Sequence, residues 1–198
     1  MKVIGLTGGI GSGKSTVARF LEELGARTMD LDVTGHEVLR DPAILKDLVQ
    51  AFGDGILDIE GQVDRAKLGP LVFNDQDELQ KLSEVTHPAI DARVGAFIDE
   101  ARRDGVRIVV LEAAALMEAG RVWQVDEIWV TEAPLNVVID RVMQRSGMSE
   151  AEVLERINSQ MPNEERTLVA DVVIDTDCSL DELKVRVRSA WDTLLARL

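Results

Sequence analysis

Residues 8–15 have the types and the spacing of a phosphate-binding loop. They read Gly-Gly-Ile-Gly-Ser-Gly-Lys-Ser, which is a complete G-x-x-x-x-G-K-S pattern. Glycines let successive backbone N–H groups turn inward around phosphate oxygens with no Cβ in the way. Lys14 is expected to reach the β- and γ-phosphates of a nucleotide, and the Ser15 hydroxyl is expected to bind Mg²⁺. The other residues predicted to bind the nucleotide here are Gly11, Ser12, Gly13 and Thr16.

The elements that flank this loop are those that the motif requires. Residues 2–7 are an apolar run that predicts a short buried strand, and residues 15–24 carry apolar side chains at helical spacing. The amino terminus of that helix would add partial positive charge beside the bound phosphates. The alternative is a glycine-rich turn that merely joins a strand to a helix, and the flanks argue against it. The sequence therefore predicts a protein that binds a nucleoside triphosphate.

Length and hydropathy place the chain among single-domain globular proteins. Its 198 residues suit one α/β core with small inserted subdomains. The sequence has no apolar run of about 18 residues and no signal-peptide pattern, so a cytoplasmic location is expected.

The charge balance and the single cysteine exclude several classes of function. A net charge of −14 argues against broad binding of nucleic acid or of an anionic membrane surface. One cysteine, Cys178, excludes an intramolecular disulfide and a multi-cysteine metal site. Aspartates surround Cys178 in the sequence, and negative charge would raise the thiol pKa, so we expect an unreactive side chain.

Two aspartates lie in the predicted second strand, residues 28–32. Alternation along that strand would place Asp30 and Asp32 on the same face. Paired carboxylates are costly on a buried strand unless they lie near its carboxyl end, where ligands bind in an open α/β sheet. This favours a functional role for Asp32 and a capping role for Asp30. The alternative for Asp32 is an N-cap of a helix that runs through His36.

Residues 41–104 change from strand–helix alternation to almost continuous helix. The pattern predicts helices over residues 42–52, from Asp64 to 71 and from Asp75 to 85, with both aspartates as caps. A separate helix over residues 88–103 would begin at a proline, as helices often do.

Such a helical insertion between the second and third strands indicates an arm that holds a second substrate, although a passive helical cap is the alternative. His87 and Arg93 are its candidate binding residues. Taken alone, His87 is expected to form a hydrogen bond at a helix end rather than to act in catalysis.

The third predicted strand, residues 107–111, is apolar and is followed by Glu112. An acid at this point often holds Mg²⁺ through water in phosphate-loop enzymes, and a purely structural hydrogen bond is the open alternative. Two more strands over residues 125–131 and 172–175 and a closing helix over 180–195 complete the predicted alternation.

Arginines and polar helices in the last third of the chain predict a lid. Arg141 and Arg145 stand four residues apart on a helix, so they share a face. Residues 147–165 are polar and helical, and they carry Gln160. This combination is typical of a segment that closes over transferring phosphates. The alternative is a solvated helix whose arginines pair with nearby glutamates.

Six stretches of the chain carry a resemblance to one family. They are residues 5–16 (Gly-Leu-Thr-Gly-Gly-Ile-Gly-Ser-Gly-Lys-Ser-Thr), 30–32 (Asp-Leu-Asp), 87–88 (His-Pro), 141–145 (Arg-Val-Met-Gln-Arg), 156–160 (Arg-Ile-Asn-Ser-Gln) and 170–171 (Ala-Asp). Over almost its whole length the chain resembles the dephospho-CoA kinases. It departs from them at residues 114–118, which read Ala-Ala-Leu-Met-Glu in place of Pro-Leu-Leu-Phe-Glu, and at Arg166, which replaces a lid lysine.

The resemblance implies a reaction and a set of roles. The reaction is transfer of the ATP γ-phosphoryl group, with Mg²⁺, to the ribose 3′-hydroxyl of dephospho-CoA. Asp32 is implied as the base that accepts the hydroxyl proton, and Lys14 and Arg141 as its catalytic partners. The residues implied in nucleotide binding outside the loop are Arg141, Arg145 and Gln160, and those implied in substrate binding are Asp32, His87, Arg93 and Glu118.

The resemblance also implies the fold, a P-loop NTPase three-layer α/β/α domain with a five-stranded parallel sheet. Its core would comprise residues 1–40, 105–146 and 167–198, its helical substrate-binding arm residues 41–104, and its helical lid residues 147–166. Two rivals fit the loop, namely another small-molecule kinase of the nucleoside monophosphate or shikimate type, and a nucleotide-switch ATPase. The sequence leaves the oligomeric state open.

Overall fold

The computed structural model describes residues 1–73, 75–117 and 125–198 and contains a parallel β-sheet. Its strands are β1 (Lys2–Thr7), β2 (Arg27–Asp30), β3 (Ile108–Glu112), β4 (Glu127–Glu132) and β5 (Val172–Asp175). They lie in the order β2-β3-β1-β4-β5, and every neighbouring pair is parallel. The five-stranded parallel sheet is therefore confirmed. All strands end at one edge, where open α/β sheets bind ligands.

Helices occupy most of the remaining described sequence. They are α1 (Lys14–Glu23), α2 (Leu31–Val38), α3 (Pro42–Phe52), α4 (Arg65–Phe73), α5 (Gln76–Arg103), α6 (Leu135–Ser146), α7 (Glu150–Asn158), α8 (Asn163–Leu168) and α9 (Leu180–Leu195), with a 3₁₀ turn over Asp54–Ile56. The chain forms two compact units. The first comprises Met1–Asp30 and Ala101–Leu198, and the second comprises Leu31–Glu100. Among the described helices, none is both long and apolar enough to cross a membrane.

The core of the first unit is the sheet, which has helices on both faces. All of β3 is buried, as expected for a central parallel strand that is covered on both sides. On one face, α1 and α9 pack against the strands through Leu21 and Val187, which are fully buried. This packing fixes the carboxyl end of β1 and the start of α1. The phosphate-binding loop connects these two points.

The second unit is helical and has its own small core, formed by Leu48, Ile56, Leu68 and Val72. The predicted caps are confirmed here. The Asp64 carboxylate accepts the Ala66 N–H at 2.9 Å, and the Asp75 carboxylate accepts the Asp77 N–H at 2.9 Å.

The predicted extent of the second strand is wrong. Strand β2 ends at Asp30 and α2 begins at Leu31, so Asp32 lies in the first turn of a helix and shares no strand face with Asp30. Leu31, Thr34 and Val38 are buried at helical spacing, and this periodicity overrides the apparent alternation. Because the helix begins before Asp32, the residue is not its N-cap either.

The predicted break at Pro88 is also wrong. Helix α5 runs unbroken through 28 residues with Pro88 inside it. An interior proline removes one backbone hydrogen bond at a cost of about 3 kcal/mol. Apolar and small side chains keep helical spacing on both sides of it: Thr86, Ile90 and Val94 are buried. His87 therefore lies within the helix, and the role of hydrogen bonder at a helix end is excluded.

Candidate functional site

The loop between β1 and α1 is held in a conformation that only glycine adopts readily. Gly11 has φ of 73° and Gly13 has φ of 91°, both in the left-handed region. A Cβ on Gly11 would stand 2.8 Å from a Val142 methyl carbon and 3.0 Å from the Val138 carbonyl oxygen. The sequence places glycine here because helix α6 packs directly against the loop backbone.

Lys14 folds back from the first turn of α1 over this loop. Its ammonium group donates to the carbonyl oxygens of Gly8 at 2.9 Å and Gly9 at 3.4 Å. The charge is thus held over the loop that the glycines shape, beside the amino terminus of α1. This arrangement can bind an anion such as a phosphate chain.

Ser15 and Glu112 form a pair of oxygen groups at the carboxyl edge of the sheet. The Ser15 hydroxyl donates to the Glu112 carboxylate at 2.7 Å, and Glu112 is only 8% exposed at the end of β3. Asp30, the last residue of β2, lies opposite Glu112 in the strand register. The contact identifies Glu112 as a member of this site, a role that sequence reasoning left open.

The donor types at this pair fit Mg²⁺. Magnesium takes oxygen ligands and keeps several waters, so it usually needs only one or two protein groups together with substrate phosphates. Within residues 1–73, 75–117 and 125–198, no cluster of three or more His, Cys, Asp or Glu side chains could hold a metal ion. The Ser15 hydroxyl and the Glu112 carboxylate would suit a magnesium ion that arrives with a nucleotide.

Two buried threonines, which sequence reasoning missed, support the loop from the ends of β4 and β5. The Thr131 and Ser12 hydroxyls are 2.7 Å apart. The Thr176 hydroxyl donates to the Ser12 carbonyl oxygen at 2.9 Å. Both threonines are at most 1% exposed. Polar residues at the carboxyl ends of apolar parallel strands were the available signal.

Arg141 and Arg145 both line a cavity of about 250 Å³ beside the loop, so the structure brings these two predicted residues together. The Arg141 guanidinium donates to the Thr176 carbonyl oxygen at 2.7 Å, to the Thr176 hydroxyl at 2.9 Å and to the Gly11 carbonyl oxygen at 3.4 Å. The Arg145 side chain is exposed. Arg141 thus contacts the loop, while Arg145 lies at the solvent-facing side.

Cys178 lines the same cavity. The pKa of its thiol is raised, mainly because burial disfavours the thiolate, with Glu182 and Asp175 adding to the effect. The predicted direction is confirmed, although burial contributes more than the surrounding acids.

Gln160 and Arg166 bring the segment that follows α6 onto the phosphate-binding loop. The Gln160 side-chain carbonyl accepts the Ile10 N–H at 2.9 Å. Arg166 is almost fully buried, and one of its guanidinium nitrogens lies 3.6 Å from the point where a Cβ on Gly9 would stand. These groups line a second cavity of about 740 Å³. The predicted nucleotide contact Gln160 therefore touches the loop backbone directly.

The remaining predicted residues belong to the second unit or lie outside the description. Asp32 is exposed in the first turn of α2, and His87 is half-buried within α5. Arg93 forms an ion pair with Glu37 at 3.0 Å, which joins α5 to α2. Glu118 lies outside the described residues.

The glycine loop, its lysine and the parallel sheet in the order 2-3-1-4-5 define a P-loop domain that binds a nucleoside triphosphate. A sequence profile of the dephospho-CoA kinases matches residues 2–182. The chain belongs to the dephospho-CoA kinase family, and it is therefore an enzyme of the kinase class.

Individual relatives agree with this assignment. The chain is 43% identical over 192 residues to a dephospho-CoA kinase from Geobacter sulfurreducens, with 96% of this chain and 98% of that protein covered. A solved structure from Thermus thermophilus is similar with a TM-score of 0.84 and 34% identity, covering 100% and 97% of the two chains. A dephospho-CoA kinase structure from Campylobacter jejuni is similar with a TM-score of 0.70 and 25% identity, covering 97% and 96%. The rival interpretations as another small-molecule kinase or a switch ATPase are not favoured.

Proposed function

We propose that this enzyme transfers the γ-phosphoryl group of ATP to the ribose 3′-hydroxyl of dephospho-CoA, giving CoA and ADP. The observation that carries the proposal is the glycine loop with Lys14 folded over it and the Ser15–Glu112 pair at its end. Phosphoryl transfer asks a protein mainly for positioning and charge neutralisation, and this site supplies both.

In this proposal Lys14 and the loop backbone bind the ATP phosphates. The ammonium group now donates to two loop carbonyl oxygens, and phosphate oxygens would replace at least one of them when ATP binds. The lysine is then already close to the position where charge develops during transfer, so little reorganisation is needed.

The Ser15 hydroxyl and the Glu112 carboxylate would hold Mg²⁺, with Glu112 acting directly or through water. Bound Mg²⁺ neutralises charge on the β- and γ-phosphate oxygens. The Ser15 hydroxyl donates a hydrogen bond to the Glu112 carboxylate, with 2.7 Å between the two oxygen atoms. Because the serine proton points to Glu112, the lone pairs of the serine oxygen remain available to a cation. The pair is thus arranged before the metal arrives.

Asp32 is proposed to accept the proton of the acceptor hydroxyl. Its exposed position in the first turn of α2 leaves the carboxylate accessible to an acceptor hydroxyl. His87, Arg93 and Glu118 are proposed to bind dephospho-CoA in the helical arm. A guanidinium has five N–H donors, so Arg93 can pair with Glu37 and still contact a substrate phosphate.

Residues 147–166 are proposed to act as the lid, with Arg145 at its base and Gln160 bonded to the loop. The three hydrogen bonds from Arg141 to protein oxygens favour a positioning role for that arginine. Arg145, exposed at the same cavity, is the better placed to contact transferring phosphates.

The test is ADP formation from Mg·ATP by the purified enzyme with no acceptor, with dephospho-CoA, with shikimate and with AMP. Only dephospho-CoA should raise the rate, because the arm is proposed to bind that acceptor. Lys14→Ala is the control for a contaminating kinase. Equal ADP formation with and without acceptor would overturn the proposal in favour of an ATPase, and stimulation by AMP or shikimate would overturn the substrate assignment.

A further inference from the structure

We infer that Thr176 is a positioning residue that orients one peptide group of the phosphate-binding loop. The peptide joins Ser12 to Gly13, and its N–H is one of the donors that the loop offers to phosphate. The inference rests on the proposed binding of ATP at this loop. It adds a function to a residue at the far end of the sequence, 164 positions from Ser12.

The hydroxyl of Thr176 stands between two carbonyl oxygens and a guanidinium. It lies 2.9 Å from the Ser12 oxygen and 3.1 Å from the Glu132 oxygen, and it accepts from Arg141 at 2.9 Å. A hydroxyl has one proton to donate. Because Arg141 is always protonated and can only donate, the threonine proton must point to a carbonyl oxygen, and the Ser12 oxygen is the nearer one.

Anchoring the Ser12 carbonyl determines where the Gly13 N–H points. The peptide bond is planar and trans, so its C=O and N–H groups point in opposite directions. With the oxygen held at Thr176, the Gly13 N–H points away from Thr176. In the proposed complex with ATP, this N–H would donate to a phosphate oxygen. Gly13 has φ of 91°. Because glycine restricts its own backbone dihedral angles very little, the orientation of this peptide group has to be fixed by a contact from outside the loop.

Thr176 also joins the loop to the wall of the neighbouring cavity. Its side chain lines the 250 Å³ cavity, and its methyl carbon lies 3.1 Å from the point where a Cβ on Gly13 would stand. The Arg141 guanidinium donates to the Thr176 carbonyl oxygen at 2.7 Å and to the Gly11 carbonyl oxygen at 3.4 Å. The buried Thr176 hydroxyl and the Arg141 guanidinium therefore both link the loop to the cavity wall.

The test compares Thr176→Val and Thr176→Ala, which remove the hydroxyl, with Thr176→Ser, which keeps it. Dissociation constants for Mg·ATP and for adenosine are measured by calorimetry, and thermal unfolding verifies that each variant is folded. Valine puts a second methyl group in place of the hydroxyl, whereas alanine does not. Testing both variants separates loss of the hydroxyl from a steric effect of the added methyl group. Thr193→Val is the control for the substitution itself, because it removes an exposed hydroxyl that donates to the Ser189 carbonyl oxygen within α9.

Loss of the hydroxyl should weaken Mg·ATP binding about tenfold and adenosine binding by no more than about twofold, since adenosine has no phosphates. Thr176→Ser and Thr193→Val should bind both ligands as the wild type does. Unchanged ATP affinity in folded Thr176→Val or Thr176→Ala would overturn the inference. Equal losses of affinity for ATP and for adenosine would also overturn it, because they would assign Thr176 to the cavity wall alone. Failure of the wild type to bind ATP would instead refute the proposed function.

Discussion

Replacing Glu112 with glutamine should slow phosphoryl transfer strongly while leaving the fold intact. Glutamine has nearly the same shape, and its amide oxygen can still accept the Ser15 hydroxyl, which lies 2.7 Å from the carboxylate in the native enzyme. The substitution therefore removes one negative charge from a residue that is only 8% exposed, with little change in packing.

The size of the effect follows from which energy terms are lost. A neutral acceptor in place of the carboxylate weakens the hydrogen bond to Ser15 by about 1 kcal/mol. Loss of the charge that organises Mg²⁺ should cost about 3 kcal/mol in the transition state, which is about 10²-fold in kcat. The Mg²⁺ concentration for half-maximal rate should rise by about tenfold or more. The free energy of unfolding should change by no more than about 1 kcal/mol.

The assay is initial-rate ADP formation with dephospho-CoA over a range of Mg²⁺ concentrations, together with chemical denaturation. Glu127→Gln is the matched control, because Glu127 is also 8% exposed but lies at the opposite end of the sheet, bonded to Trp129 and Arg197. The control should affect stability and leave kcat and the Mg²⁺ dependence unchanged. A Glu112→Gln enzyme with kcat within about threefold of the wild type and an unaltered Mg²⁺ dependence would refute the metal role and leave Glu112 as a structural acceptor.

Four further perturbations test other parts of the site. Lys14→Ala should reduce turnover by more than about tenfold without unfolding the chain, as seen by steady-state rates and circular dichroism. Asp32→Asn should keep Mg·ATP affinity and lower transfer to dephospho-CoA by about 10²-fold, and near-normal turnover would remove its role as base. Arg145→Ala should lower kcat more than it weakens ATP binding without acceptor, and equal losses would indicate ground-state binding. The pKa of the Asp175 carboxyl group is lowered, chiefly by the Asp177 backbone N–H and then by Arg186. The ionised carboxylate therefore stabilises the folded protein at pH values above its ordinary pKa of 3.8, and this contribution is lost as the pH falls through the pKa of the folded state. Asp175→Ala should therefore reduce the free energy of unfolding at neutral pH, and the difference from wild type should shrink in acid; a constant difference would contradict this linkage.

Local patterns in the sequence predicted the loop, the sheet and most of the helices, because those features depend on neighbours within a few residues. Spacing around residues 8–15 was enough to place the glycines, Lys14 and Ser15. The pattern misled where two periodicities overlap. Residues 28–32 alternate like a strand, but the buried face of α2 begins at Leu31, so Asp32 is helical.

The support of the loop was less predictable because it is made by residues far apart in the chain. Ser15 and Glu112 are separated by 97 positions, and Ser12 and Thr176 by 164. The spacing of residues within one segment does not predict which buried polar residues at the ends of different parallel strands form contacts. The continuity of α5 through Pro88 was hidden for a related reason, since burial of Thr86, Ile90 and Val94 offsets a local helix-breaking preference.

The position of the transferred phosphate tests the central claim most directly. Purified enzyme is incubated with Mg·ATP and dephospho-CoA, and the product is analysed by mass spectrometry and by phosphorus NMR. The proposed function predicts one ADP for each acceptor consumed and a single product that carries a new monoester on the ribose 3′-oxygen, identical to CoA. A phosphate at another position, or ADP released with dephospho-CoA left unmodified, would contradict it.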